Sequence, residues 1–240
     1  DLCKGHSGND DELPAGALDG EALRARILRF RPAVVAFTSK NAGRAFLGRD
    51  VDYGALREQH LHDKVPCAWL DATHPSYTLY TSGTTGKPKG VQRDTGGYAV
   101  ALAASMKHIY LGKAGETYFS TSDIGWVVGH SYIIYGPLIA GMATIMYEGT
   151  PIRPDAGIWW QIVEKYKVNV MFSAPTAVRV LKKQDPAYMK KYDLSSLKHL
   201  FLAGEPLDQP THEWIMGELK LRAIDNYWQT ETGWPMPSTV

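Results

Sequence analysis

Eleven residues from Tyr80 to Gly90, Tyr-Thr-Ser-Gly-Thr-Thr-Gly-Lys-Pro-Lys-Gly, gather hydroxyl donors, glycines and cations in one short stretch. Glycine lets backbone N–H groups approach an anion closely, Ser and Thr add hydroxyl donors, and Lys adds positive charge. Nucleotide phosphates are the anions that suit such a loop. It is not a Walker A loop, which needs four residues between its Gly and the Gly-Lys, then Ser or Thr for magnesium. Here Gly83 and Gly86 enclose two residues and Lys87 precedes Pro88, whose nitrogen has no hydrogen to give. Other chemistry-bearing residues point nowhere. His60-Leu-His62 has no third ligand nearby and reads as surface, and Lys182-Lys183 and Lys190-Lys191 read as solvated charge.

The loop closely resembles the phosphate loop of the adenylate-forming superfamily of acyl-CoA synthetases, luciferases and peptide-synthetase adenylation domains. Two further segments resemble the same superfamily in the expected order. One is Asp123-Ile-Gly-Trp-Val-Val-Gly-His-Ser-Tyr132; the other is Gly204-Glu-Pro206 followed by Asp225-Asn-Tyr-Trp-Gln-Thr-Glu-Thr-Gly233. The Trp-Gln-Thr-Glu-Thr-Gly spelling is similar to the short-chain branch, the acetyl- and propionyl-CoA synthetases. Residues 51–235 look most like the propionyl-CoA type, notably in Gly90-Val-Gln-Arg-Asp94 and Leu202-Ala-Gly-Glu-Pro-Leu207.

The resemblance implies ATP, Mg2+ and CoA as partners and a short carboxylic acid as substrate. It implies that Thr81, Ser82, Gly83, Thr84, Thr85, Gly86, Lys87 and Lys89 hold the β- and γ-phosphates, with Thr85, Lys89 and Glu231 closest to catalysis. Glu231 becomes the magnesium ligand, since a small hard cation prefers carboxylate and phosphate oxygen, and Thr230 beside it reaches the α-phosphate. Gly204, Glu205 and Pro206 form one wall for adenine; Asp225, Asn226, Tyr227 and Trp228 form the other, and Gln229 also binds the nucleotide. Trp126, Val127, Val128, Ala203 and Trp228 line the acyl pocket, where Trp228 excludes long chains and the small Ala203 leaves room for propionate. A methylene is worth roughly 1–3 kcal/mol in such a pocket, so propionate over acetate is a preference only. For His130, a polar gate and a hydrogen-bonded core residue are equally open readings.

These motifs need elements to carry them. Tyr77-Thr-Leu-Tyr80 reads as a strand, so the phosphate loop springs from a sheet edge. Spacing predicts a helix over 158–166, a strand over 168–173, a helix opened by Ala174-Pro175-Thr176, and strands over 197–203 and 223–227. Repeated strand–helix units predict an α/β fold, a mostly parallel sheet flanked by helices, with ligand motifs at strand ends. Residues 124–147 contain no Asp, Glu, Lys or Arg, but Gly, Pro, His and Ser interrupt them. A buried helix over 131–140 leading into a strand over 143–147 fits them better than a membrane span.

The chain has 240 residues, net charge +1 and two cysteines. That balance gives no electrostatic case for nucleic acid, and the cysteines suit a reducing cytoplasm. Residues 1–50 differ in character, with a basic helix from about Asp19 carrying Leu23, Ile27 and Phe30, a strand over 33–38 and a short helix over 41–47. Asp1-Leu-Cys-Lys, Ser7 to Leu13 and Arg31 to Lys40 resemble a piece of the bacterial mismatch-specific uracil-DNA glycosylases, without that family's catalytic loop. The expected organisation is therefore a short α/β fragment, 1–50, and a partial AMP-binding domain, 51–240, meeting near Val51-Asp-Tyr-Gly54. No ribose-binding Asp, Arg-containing hinge or C-terminal small domain follows residue 233, so the expectation is a fragment impaired on its own. The other readings are a DNA-repair fragment and a non-catalytic module that binds ATP or AMP.

Overall fold

Val170–Ser173 and His199–Ala203 are buried on both faces, which is why they read as unbroken apolar runs rather than alternating ones. They form the middle of the main sheet in a computed structural model that describes residues 35–37, 50–81 and 86–238. The expected helices near Asp19 and over 41–47 lie outside the described residues, as do Ser82, Gly83, Thr84 and Thr85.

The chain divides into two units, residues 1–69 and 70–240; the expected boundary at residue 50 falls inside the first. In that unit β1 (Val35–Phe37) pairs in parallel with β2 (Asp50–Asp52), and α1 (Tyr53–Gln59) follows. The second unit opens with an antiparallel hairpin of β3 (Pro75–Thr81) and β4 (Lys89–Asp94). Then come β5 (Thr117–Ser120), β6 (Ala143–Ile145), β7 (Val170–Ser173), β8 (His199–Ala203) and β9 (Ala223–Asn226). These five form one wholly parallel sheet in the order β6-β5-β7-β8-β9. The parallel sheet flanked by helices is as expected, with strands one to two residues shorter at their ends.

Alternate residues of each strand serve opposite faces, as the strand period of two requires. Phe119, Met171, Leu200, Leu202 and Ala223 enter one core cluster, and Tyr118, Val170, Phe172, Phe201, Ala203 and Ile224 enter the other. The first face is covered by α3 (Ile158–Tyr166), α4 (Pro175–Lys182) and α5 (Gln209–Leu219). Trp159, Ile162 and Val163 of α3 and Val178 and Leu181 of α4 supply its side chains. Pro175 opens α4 where its missing N–H costs nothing, and the Asp208 carboxylate caps α5 by accepting from the Thr211 N–H at 3.0 Å. The other face carries α2 (Gly96–His108), which supplies Tyr98, Leu102 and Met106.

The expected helix over 131–140 is broken. Residues His130–Tyr135 wind as a π-helix with Tyr132 off helical geometry (φ −129°), and a short α-turn, Gly136–Ile139, follows. Pro137 explains the change, because it cannot donate to the Ile133 carbonyl four residues back. The Thr144 hydroxyl donates to that carbonyl instead, at 2.7 Å. No helix among the described residues is long and apolar enough to cross a membrane.

Candidate active site

In the sheet, β5 leads outward to β6, and the chain then returns across to build β7, β8 and β9 on the opposite side. The winding therefore reverses between β5 and β7. Crevices at the carboxyl ends of strands beside such a reversal are where open parallel sheets bind ligands. Here the Thr121 hydroxyl donates to the Ser173 hydroxyl at 2.8 Å, tying the two strand ends together. The Asp123–Tyr132 segment, the Gly204-Glu-Pro206 turn and the Asp225–Gly233 segment leave the sheet on this side, after β5, β8 and β9.

The phosphate loop joins two antiparallel strands, with Thr81 opposite Lys89, so it is a hairpin tip rather than a strand-to-helix turn. Gly86 takes the left-handed backbone region (φ +81°), where a side chain would be strained. Lys87 and Lys89 are exposed. The Thr81 hydroxyl is buried and has no partner among the described residues.

Residues 227–236 fold back as a second loop. Tyr227 N–H donates to the Pro237 carbonyl and Met236 N–H to the Tyr227 carbonyl, both at 3.0 Å, and Asn226 bridges Ser238. Within it Gly233 N–H donates to the Gln229 carbonyl at 3.1 Å, and Gln229 N–H donates to the Thr232 hydroxyl at 3.1 Å. Glu231 is exposed at the tip of this turn.

The second loop meets the hairpin strand β4, at the end away from the phosphate loop, although about 140 residues of chain separate them. Arg93, on β4, donates to the Glu231 carbonyl at 2.9 Å and also to the Thr230 carbonyl. A relay runs beside it. Tyr77 donates to the Tyr98 hydroxyl at 2.9 Å, Tyr98 and Ser131 share a 2.6 Å hydrogen bond, and Ser131 donates to the Gly233 carbonyl at 3.0 Å. Gly233 suits this position: its φ of +75° would strain a side chain, and a Cβ would lie 2.8 Å from the Arg93 guanidinium, which would have to shift. Burial pushes the Tyr98 hydroxyl well above the ordinary tyrosine range, so it remains a neutral hydrogen-bonding group.

The proposed adenine walls differ in construction. After β8, Glu205 accepts from the Thr176 N–H at 2.7 Å and from Arg179 at 3.0 Å. Arg179 also donates to Asp208 at 2.7 Å and to the Pro206 carbonyl at 2.7 Å. Hydrogen bonds from Thr176 first, then Arg179, hold the Glu205 carboxyl below its usual range; Arg179 first, then Thr211, does the same for Asp208. The Glu205 side chain is thus a brace behind Gly204 and Pro206. On the opposite wall Tyr227 is exposed and accepts from Gln229 Nε2 at 3.0 Å. Partial burial raises the Asp225 carboxyl. Asn226 is buried, and both polar atoms of its amide lack a partner among the described residues.

Of the acyl-pocket residues, Val128, Ala203 and Trp228 come together on the α2 face, where the Trp228 ring meets Tyr132 at 5.3 Å and Phe172 at 6.4 Å. Val127 is buried next to them in sequence, whereas Trp126 is 64% exposed and stands apart. His130 stacks on Tyr77 at 4.9 Å, and its Nδ1 lies 3.0 Å from the Trp126 carbonyl. A carbonyl only accepts, so Nδ1 is the donor in that contact; His130 is half-buried rather than in the core.

The Thr81 hydroxyl and the Asn226 amide each have polar capacity left for a ligand. For a metal, no group of three or more His, Cys, Asp or Glu side chains gathers among the described residues. Glu231 alone fits a cation that arrives already coordinated by phosphate oxygens, as Mg2+ does with ATP.

The family pattern described as AMP-binding enzyme matches residues 20–240. The chain belongs to that family. Among curated proteins it is 66% identical over 189 residues to the propionate–CoA ligase of Escherichia coli K12, and equally to that of Salmonella typhimurium LT2. Each alignment covers 79% of this chain and 30% of the ligase. The mouse mitochondrial acyl-CoA synthetase short-chain family member 3 is 46% identical over 226 residues, which is 91% of this chain and 32% of that protein. The chain thus spans about a third of the length of these relatives. The family match begins at residue 20, inside the stretch that resembles a glycosylase.

Arg93, Tyr77, Tyr98 and Ser131 belong to the site but carry no signal in spacing alone. Arg93 and Ser131 stand in the Gly90–Asp94 and Asp123–Tyr132 strings that carry the family likeness.

Proposed function

We propose that this chain forms the nucleotide and acyl core of an AMP-forming short-chain acyl-CoA synthetase. The reaction is propionate or acetate plus ATP and CoA giving acyl-CoA, AMP and pyrophosphate. A carboxylate oxygen attacks the α-phosphorus, the bond to the β-phosphate bridging oxygen breaks, and pyrophosphate leaves. The CoA thiol, having lost its proton, then attacks the acyl carbon, and AMP leaves with the electron pair of the broken C–O bond. The observation that carries this reading is the pair of hydrogen bonds by which Arg93, on the strand that leaves the cationic loop, holds the Glu231 turn beside the carboxyl edge of the parallel sheet. The ligase relatives support the choice of acid.

In this reading Lys89 and the hairpin hydroxyls neutralise and orient the β- and γ-phosphates, which is the main demand of a displacement among anions. Glu231 would hold the Mg2+ that arrives with ATP, and that ion would supply screening of the phosphate charge. Thr230 faces the α-phosphate, Asn226 and the Tyr227 ring receive the base, and Gly204 to Pro206 close the other side. Trp228, Ala203 and Val128 set acid length, with Trp126 and Val127 at the pocket entrance. The compartment proposed is the cytoplasm. Two domains, 1–50 and 51–240, remain the proposed organisation; the glycosylase reading of the first gains no support from the matched relatives.

Calorimetry with MgATP tests the phosphate role. Lys89→Ala is expected to weaken binding by about tenfold or more, the loss of one charge-assisted contact. Unchanged affinity would remove the hairpin from the site. Pyrophosphate exchange into ATP that depends on propionate tests the chemistry, and exchange indifferent to the acid would refute it.

A further inference from the structure

Tyr77 and Arg93 face each other across one rung of the β3–β4 hairpin. From that single rung both ends of the Glu231 turn are gripped. Arg93 holds the carbonyls of Thr230 and Glu231 directly; Tyr77 holds the Gly233 carbonyl through Tyr98 and Ser131. Arg93 is half-buried, its guanidinium lies 5.7 Å from the centre of the Tyr98 ring, and it makes no ion pair among the described residues. Its charge is spent on peptide carbonyls. Two neighbouring carbonyls aimed at one planar fork restrain the peptides on either side of Glu231. The direction in which the Glu231 side chain leaves the backbone is then set by the phosphate hairpin.

We propose that Arg93 is a positioning residue which fixes Glu231 relative to the phosphate hairpin, so that the metal and the phosphates of one nucleotide are received together. This rests on the nucleotide reading above. A lysine cannot reproduce it, because an ammonium is a point donor and not a fork.

The experiment compares wild type, Arg93→Ala, Arg93→Lys, Glu231→Gln and the Arg93→Ala/Glu231→Gln double variant. Calorimetry is run with ATP plus Mg2+ and with ATP plus EDTA, and amide hydrogen exchange is followed on the ligand-free proteins. Arg93→Ala is expected to weaken MgATP binding about tenfold, leave ATP binding in EDTA unchanged, and abolish the further cost of Glu231→Gln. Arg93→Lys behaves nearly as Arg93→Ala, and serves alone if the alanine variant does not fold. Ligand-free exchange at residues 229–233 accelerates in both. Equal losses with and without Mg2+, additive costs, or unchanged exchange at 229–233 each overturn the proposal. If wild type takes up no MgATP the nucleotide reading fails, while the exchange data still decide whether Arg93 holds the turn.

Discussion

The two faces of the parallel sheet are packed with different kinds of side chain. The face under α3, α4 and α5 holds Trp159, Trp160, Val163, Met171, Leu200 and Leu202, a core with few polar tips. The face under α2 holds Tyr98, Tyr110, Tyr118 and Tyr132 around buried Ser105 and Ser131. There, Tyr132 donates to Ser105 at 2.8 Å and Ser105 to the Leu102 carbonyl at 2.9 Å, while Tyr98 and Ser131 reach the Glu231 turn. Apolar contact is non-directional, whereas a hydrogen bond specifies a distance and an angle. The first face therefore supplies stability, and the second also transmits position to the site.

Three substitutions would break or sharpen that contrast. The largest effect belongs to Leu202→Ala in β8, fully buried in the first face. It should cost about 2–5 kcal/mol of folding stability by urea denaturation, with MgATP affinity of the folded fraction unchanged. A drop in affinity as large as the drop in stability would erase the distinction between the faces. Tyr98→Phe on the second face keeps the ring and deletes the hydroxyl, leaving Tyr77 and Ser131 without their shared partner. It should cost about 1–3 kcal/mol in stability and in addition weaken MgATP binding, because the Gly233 carbonyl loses its anchor. Unchanged binding would reduce the relay to packing.

The smallest effect is expected at Arg179→Gln, on the rim of the first face. Glu205 and Asp208 have carboxyl pKa values depressed below their unfolded ones. Their contribution is present above the unfolded values, near pH 4, and is lost as pH falls through the lower folded ones. Removing Arg179 should lower stability slightly at neutral pH, where both carboxylates are charged, and leave it nearly unchanged in strong acid, so that stability depends less on pH below about 4. Steep acid unfolding retained in the variant would show that Thr176 and Thr211 alone hold the two carboxyls.

Much of the layout was legible in the residues. Helix Ile158–Tyr166 matches its apolar spacing, and Val170–Ser173 and His199–Ala203 match their apolar runs, because burial demands those patterns whatever surrounds them. The π-turn at His130–Tyr135 was not legible, because it depends on a Thr144 hydroxyl eleven residues away standing in for the N–H that Pro137 lacks. Trp126 belongs to a pocket motif by its string, yet it projects into solvent.

By itself the sequence determined the chemistry on offer: a cationic hairpin tip, a lone carboxylate in Gln229-Thr-Glu-Thr-Gly233, and parallel strands to carry them. Those follow from local composition and periodicity, which each segment carries with it. Only the tertiary structure decided that Arg93 closes on the carbonyls of residues 230 and 231, and that Tyr77 reaches Gly233 through two intermediate hydroxyls. A backbone carbonyl is the same acceptor at every position, so no residue type announces which one a distant guanidinium will find.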